Sequence, residues 1–368
     1  MTIAISNKPS LVLLLFSICL AGIAAAQISP PEGETLSSAE VDQLRSKAHA
    51  GDAMAQLDLG RAYADGNGVS KDDRQAVKWY RSAADQGNAT AQNNLGLMLR
   101  FGRGVDEDKK ESLMWFRKAA KQENPNALFN LGAAYYNGDG VGVDDEAAYA
   151  WFLLAQDFGS QSGADAVKRT RAERINAPLK VFESRTFERI GDMYQSGDVL
   201  PQSTSKALVW YRKGAGTDSP RVQVKLANLL LRDSSNAASV DEGRRLCHRA
   251  ADANFGPGAY CVGFLYQKGL GIKRDLGTSA KWFHKAADHG VPEAAFQLGE
   301  MYWKGDGLKQ DRVAAYKFMY MASISNFPGA KEEKERMEKE LTPKQIENAK
   351  KKVGEWRQQH PPSTPQKR

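Results

Sequence analysis

Apolar residues recur along most of this chain at the spacing of one helix face. Ala55, Leu59, Gly60 and Tyr63 fall at steps of four, one and three, the period of a buried helical stripe. Gly66-Asn67-Gly68 then interrupts the pattern, because glycine accepts the positive φ that ends a helix. Asp72 and Asp73 open a second helix with the charge its dipole favours. Ala76, Trp79, Tyr80 and Ala83 form the apolar stripe of that helix, which stops near Gly87.

This two-helix phrase repeats. LGRAYADGNGV at Leu59 returns as LGLMLRFGRGV at Leu95, LGAAYYNGDGV at Leu131, VGFLYQKGLGI at Val262 and LGEMYWKGDGL at Leu298. Anchored on the glycine, the series runs Gly60, Gly96, Gly132, then Gly191, Ala227, Gly263 and Gly299, at steps of 36 except for one of 59 between Gly132 and Gly191. Nineteen residues after each anchor stand Trp79, Trp115, Trp151, Trp210, Leu246, Trp282 and Phe318. Self-similarity at this period predicts a solenoid of stacked helix pairs. The glycine anchors are expected to let two backbones approach closely. The tryptophans read as core, since five of the seven share one repeat position.

The pattern A-x-x-x-L-G-x-x-Y-x-x-G-x-G-V-x-x-D, followed by A-x-x-W-[YF]-x-x-A-A-x-x-G, closely resembles the Sel-one-like repeat family, a 36-residue branch of the tetratricopeptide superfamily. The resemblance covers roughly residues 50–357. It implies an all-α fold, a right-handed α-solenoid of about seven helix-turn-helix repeats. Unit five departs by replacing its glycine turn with Asp233-Ser234-Ser235-Asn236, and unit four keeps only Gly197. The segment NAPLKVFESRTFERI at Asn176 is similar to LTPKQIENAKKKVGEW at Leu341, the kind of segment that ends arrays in that family. Two stacks are therefore expected: repeats 1–3 over 46–159, capping helices over 160–186, repeats 4–7 over 187–323 and capping helices over 324–357. Thr342, Pro343 and Gln345 predict a capping box with proline at the first helical position. Residues 27–45 and 358–368 read as disordered linker and tail.

Residues 1–26 read as a signal peptide. Lys8 precedes an apolar run from Leu11, and Ala24-Ala25-Ala26 is a small-residue cleavage site. That run is too short to span a bilayer, and Cys19 follows Ile18, which disfavours lipidation. The mature chain is expected in the periplasm or outside the cell, with no membrane span, and monomeric. Composition adds that of the net charge of +7, the stretch 331–368 holds 11 basic against 7 acidic residues. The repeats are nearly neutral, which argues against a nucleic-acid partner.

Candidate chemistry is sparse. The Gly-x-Gly pairs follow helices rather than strands, so a phosphate-loop reading fails its context. His248 and His284 share one repeat position with Arg81, Arg117 and Arg212; successive members lie ~10 Å apart in a stack, too far to share a metal, and read as a solvated basic column. No metal, cofactor or catalytic residue is assigned, and the chain is not expected to be an enzyme. The alternative, a β-lactam or cell-wall hydrolase, is suggested by cysteine-rich relatives. It has only Ser203-x-x-Lys206, without Lys-Thr-Gly or Ser-Asp-Asn. Cys247 and Cys261 lie on antiparallel helices around a turn centred near Asn254 and Phe255, in register to meet as a disulfide.

A count of 100° per residue sets positions three before and one, four and five after each anchor opposite the core face. In superhelical arrays that face lines the concave surface. It carries Asn93, Leu97, Arg100, Phe101, Phe129, Tyr136 and Asn137 in units two and three, and Tyr260, Phe264, Phe296 and Trp303 in units six and seven. These form the candidate groove for a protein or peptide partner of unknown identity, the alternative being that several of the aromatics plug grooves between neighbouring first helices. The function expected is a non-catalytic interaction scaffold of the cell envelope, with a secreted host-interaction factor as a further alternative.

Overall fold

A computed structural model describes residues 35–173 and 178–359, which form eighteen α-helices and no strand. Residues 1–34, where a signal peptide is expected, lie outside the described residues, as do residues 174–177 and 360–368. The chain divides into two compact units between Ala207 and Leu208.

The first unit opens with α1 (Ser38–His49). Three helix pairs follow: α2 (Ala53–Asp65) with α3 (Asp73–Asp85), α4 (Ala89–Phe101) with α5 (Lys109–Ala120), and α6 (Pro125–Asn137) with α7 (Asp145–Asp157). The caps that start them recur with the period. Asp52, Asn88 and Asn124 accept backbone hydrogen bonds at the first helices, and Asp72, Asp108 and Asp144 at the second. Two glycine positions show why the motif is fixed. A Cβ on Gly96 would sit 2.6 Å from the Phe116 ring, and one on Gly299 would sit 3.2 Å from backbone atoms of Ala315 and Met319, so the anchor admits either a ring or the backbone of its own second helix. Gly104, at φ +68, would place a Cβ 2.2 Å from the Asp73 carbonyl oxygen of the preceding repeat. Its absent side chain lets consecutive repeats stack.

Helix α1 enters the span expected to be disordered linker. Ser37 and Glu40 form a reciprocal capping box, and the Leu36 amide donates to Asn67 Oδ1 at 2.9 Å. Val41 and Ala48 are buried where the equivalent residues of a second helix would be, while Gln43 and Lys47 keep the outer side polar. This is a half-repeat closing the end of the stack.

Beyond α7, the expected boundaries shift. Helix α8 (Gln161–Glu173) keeps the 36-residue phase, with Ser160 capping it as Asn124 caps α6. It is a first helix without its second. Helix α9 (Leu179–Ser196) then runs unbroken through the edge expected at 186/187. Both pack on α7 and are tied there by one triad: Arg171 Nε donates to the Tyr149 hydroxyl at 2.9 Å, and Arg171 Nη2 pairs with Glu183 at 2.7 Å. The division of units falls within α10 (Thr204–Ala215), rather than at a cap between residues 159 and 187.

The second unit continues with α11 (Pro220–Leu230) and α12 (Ala237–Asp252), α13 (Gly256–Lys268) and α14 (Leu276–Asp288), and α15 (Pro292–Lys304) and α16 (Arg312–Ile324). It ends with α17 (Ala330–Glu338) and α18 (Pro343–Gln359). The fifth pair forms without its glycine turn: Ser235 donates to Asp233 Oδ1 at 3.1 Å and Asn236 caps α12. There the anchor is Ala227, and Cys247 takes the place that Phe116 holds against Gly96. The disulfide expected from helix register is present, joining Cys247 on α12 to Cys261 on α13, with Cα atoms 5.5 Å apart. The capping box at α18 is present too: Gln345 donates from its amide to Thr342 Oγ1 at 3.4 Å, and Thr342 to Gln345 Oε1 at 2.9 Å.

Candidate partner-binding site

The residues read as one groove separate into two groups, one in each unit. In the first unit most are enclosed. Asn93 is 1% exposed and its carbonyl accepts from Asn130 Nδ2 at 2.8 Å. Phe129 is 6% exposed, its ring centroid 5.6 Å from that of Phe152. Arg100 is 5% exposed and donates from Nη2 to Asp139 at 2.6 Å, while Lys109 reaches the same carboxylate at 3.0 Å. Burial raises the Asp139 pKa, but the two cations outweigh it and leave the carboxyl below its ordinary range. Tyr136 is half-buried, and burial followed by the charges of Glu173 and Asp145 raises its phenol. Leu97 and Phe101 are half-buried and Asn137 is exposed.

The 100° count fails here for a physical reason. A first helix in a stack touches its own second helix and the helices of neighbouring repeats, so its buried arc is wider than one stripe. The position three before the anchor packs against the ring on its own second helix, as Phe129 does with Phe152. The position four after it meets the next repeat, as Arg100 does with Asp139.

In the second unit the equivalent positions stay partly open. Tyr260, Phe264, Phe296 and Trp303 are all half-buried. Tyr260 lies against Phe283, ring centroids 5.5 Å apart, and Phe296 against Phe327 at 5.1 Å. Trp303 has the guanidiniums of Arg312 and Arg336 over its ring, 5.0 and 5.3 Å from the centroid. Phe264 has Lys268 at 5.8 Å. Gln267 Nε2 donates to Gln297 Oε1 at 2.8 Å, which ties the two first helices into one face. Gln267 and Gln297 are not among the residues expected from the sequence, although Gln267 stands four after its anchor Gly263, a position that the helical count places on this face.

The basic column is not simply solvated. Arg81 pairs with Glu111 at 2.8 Å and Arg212 with Glu242 at 2.8 Å, Arg117 donates to the Tyr135 hydroxyl at 3.3 Å, and the two histidines are half-buried. Ser203 serves as a helix cap, its hydroxyl accepting from the Lys206 amide at 3.3 Å. The Lys206 ammonium is held by Glu123 at 2.5 Å, so the Ser-x-x-Lys residues are engaged in capping and ion pairing. Trp79, Trp115, Trp151 and Trp210 are buried as core.

Comparison with known proteins gives the arrangement its context. A 66-residue stretch is 38% identical to the secretory immunoglobulin A-binding protein EsiB of Escherichia coli O6:H1, covering 18% of this chain and 13% of that one. A protective antigen of uropathogenic Escherichia coli with an SLR fold is 25% identical, over 88% of this chain and 95% of its own, with a TM-score of 0.36. A Sel1 repeat protein from Oxalobacter formigenes is 25% identical over 90% and 91%, with a TM-score of 0.39. The Sel1 repeat model matches residues 53–88, 89–124, 125–155, 188–215, 257–291 and 292–326, more than half of the sequence, and the chain belongs to the Sel1 repeat family.

Proposed function

We propose that this protein is a non-catalytic scaffold that binds a protein or peptide partner on the first-helix face of repeats six and seven, after export to the periplasm or beyond. The observation that carries this reading is the half-open face of Tyr260, Phe264, Phe296 and Trp303, whose two helices are joined by the Gln267–Gln297 bond. Aromatic side chains of this kind supply large contact area at low entropic cost and dominate protein interfaces. Sel1 repeat proteins are interaction scaffolds, and EsiB is described as binding secretory immunoglobulin A. Since this chain spans only 13% of EsiB's length, the likeness directs the search to protein partners without naming one. Among the described residues no helix is long and apolar enough to cross a membrane.

A photo-crosslinking amino acid at Phe264, in the exported protein within its native cell, tests the reading. A discrete protein adduct that is absent with the same group at exposed Lys281 supports it. Adducts of equal pattern at both positions, or none at Phe264, overturn it.

A further inference from the structure

Next to Trp303 lies a cluster of three rings, with His284 and Tyr302 half-buried and Phe318 buried. His284 on α14 is T-shaped to Tyr302 on α15 and Phe318 on α16, with centroids at 5.7 and 5.1 Å, and those two rings stack at 5.8 Å. The His284 Nε2 and Tyr302 hydroxyl are 3.0 Å apart. Tyr302 immediately precedes Trp303, so this hydrogen bond holds the helix that presents Phe296 and Trp303.

The same repeat position is filled differently in the first unit. Arg45 donates to the Tyr63 hydroxyl at 3.4 Å and Arg117 to Tyr135 at 3.3 Å, in the geometry that His284 has to Tyr302. Arg117 is exposed and Arg45 42% exposed along its side chain, and a guanidinium, unlike an imidazole, is not a switch at physiological pH. His284 is half-buried among rings, and the charged groups near it are Asp288 on its own helix and Lys317 on α16, with Lys352 of α18 beyond Lys317. Burial holds the His284 imidazole below its ordinary pKa; Asp288 opposes this and Lys317 reinforces it. Lys317 is itself lowered by burial and by Lys352. One repeat earlier His248 stands T-shaped to Trp282 at 6.2 Å, with Arg244 and Asp252 nearby. That junction is also closed by the adjoining Cys247–Cys261 bond.

We propose that the junction between repeats six and seven is an acid-operated latch, opened by proton uptake at His284, while the disulfide keeps the junction between repeats five and six closed. The sign follows from linkage. Below a pH of about 6.5 the unfolded or opened histidine takes a proton that the closed one resists, so closed-state stability falls as pH drops through that window. For one proton the opening equilibrium grows by up to about tenfold per pH unit. Loss of the partner in acid is the functional consequence and rests on the binding reading above; opening of the latch does not.

Hydrogen exchange on the full chain without partner separates the two. Corrected for intrinsic rates, amide protection in α15 should fall several-fold, by up to about tenfold, between roughly pH 7.5 and pH 5.5, with α13 changing far less. His284→Gln should abolish the fall, and His248→Gln should keep it. An equal fall in His284→Gln, or none in the unsubstituted protein, overturns the latch. Should His284→Gln fail to fold, NMR titration of the unsubstituted protein decides: a His284 pKa well below about 6.5 supports the latch, and one at or above it overturns it.

Discussion

The first-helix faces of repeats two and three and of repeats six and seven occupy the same positions in the motif and are used in opposite ways. In the earlier pair the side chains satisfy each other: Asn93 with Asn130, Arg100 with Asp139, Phe129 with Phe152. In the later pair the rings are braced from behind or from the side and left half-open, with a single amide pair crossing between helices. Position in a repeat therefore sets where a side chain starts, and its partners decide whether it becomes core or surface.

Substitutions can break this comparison. The largest effect is expected for Phe129→Ala, which empties a core site and should cost about 3–5 kcal/mol in denaturant unfolding of the first unit. Phe264→Ala, its counterpart in the open face, should leave stability within about 1 kcal/mol while weakening the partner at least roughly tenfold by titration. Arg100→Ala strips a nearly buried ion pair and should cost about 3 kcal/mol, read by loss of amide protection in α4 and α6. Opening the Cys247–Cys261 loop with paired Cys→Ala changes should cost about 3 kcal/mol in the second unit. The smallest effect is a gain. Gln223 Oε1 is buried without a partner, because Ala253 stands where Gln86 and Gln122 donate to Gln56 and Gln92. Ala253→Gln should stabilise the second unit by about 1 kcal/mol, and an unchanged unfolding midpoint would break the analogy.

The helix pairs, their caps and the Cys247–Cys261 pairing were legible because each depends on local periodicity, which a single sequence displays. Helix α1 was overlooked although Ser37 and Glu40 spell its capping box, since Gln43 and Lys47 fall where a second helix is normally apolar. Helix α8 kept the phase from Asn124 to Ser160 but lacked the tryptophan signature that follows elsewhere. The open and closed faces were not separable by sequence. Burial of Arg100 depends on Asp139, 39 residues on in a loop, and burial of Asn93 on Asn130 in the next repeat. The column containing His284 was visible, but its ring cage comes from two other helices.

Hydroxyl-radical footprinting tests the contrast between the two faces most directly, because it reads each aromatic side chain in the folded protein. Phe264 and Trp303 should oxidise several-fold faster than Phe129 once scaled for intrinsic reactivity, and bound partner should protect the first two alone. Equal rates at Phe129 and Phe264, or partner protection centred on Leu97 and Phe101, would contradict the account.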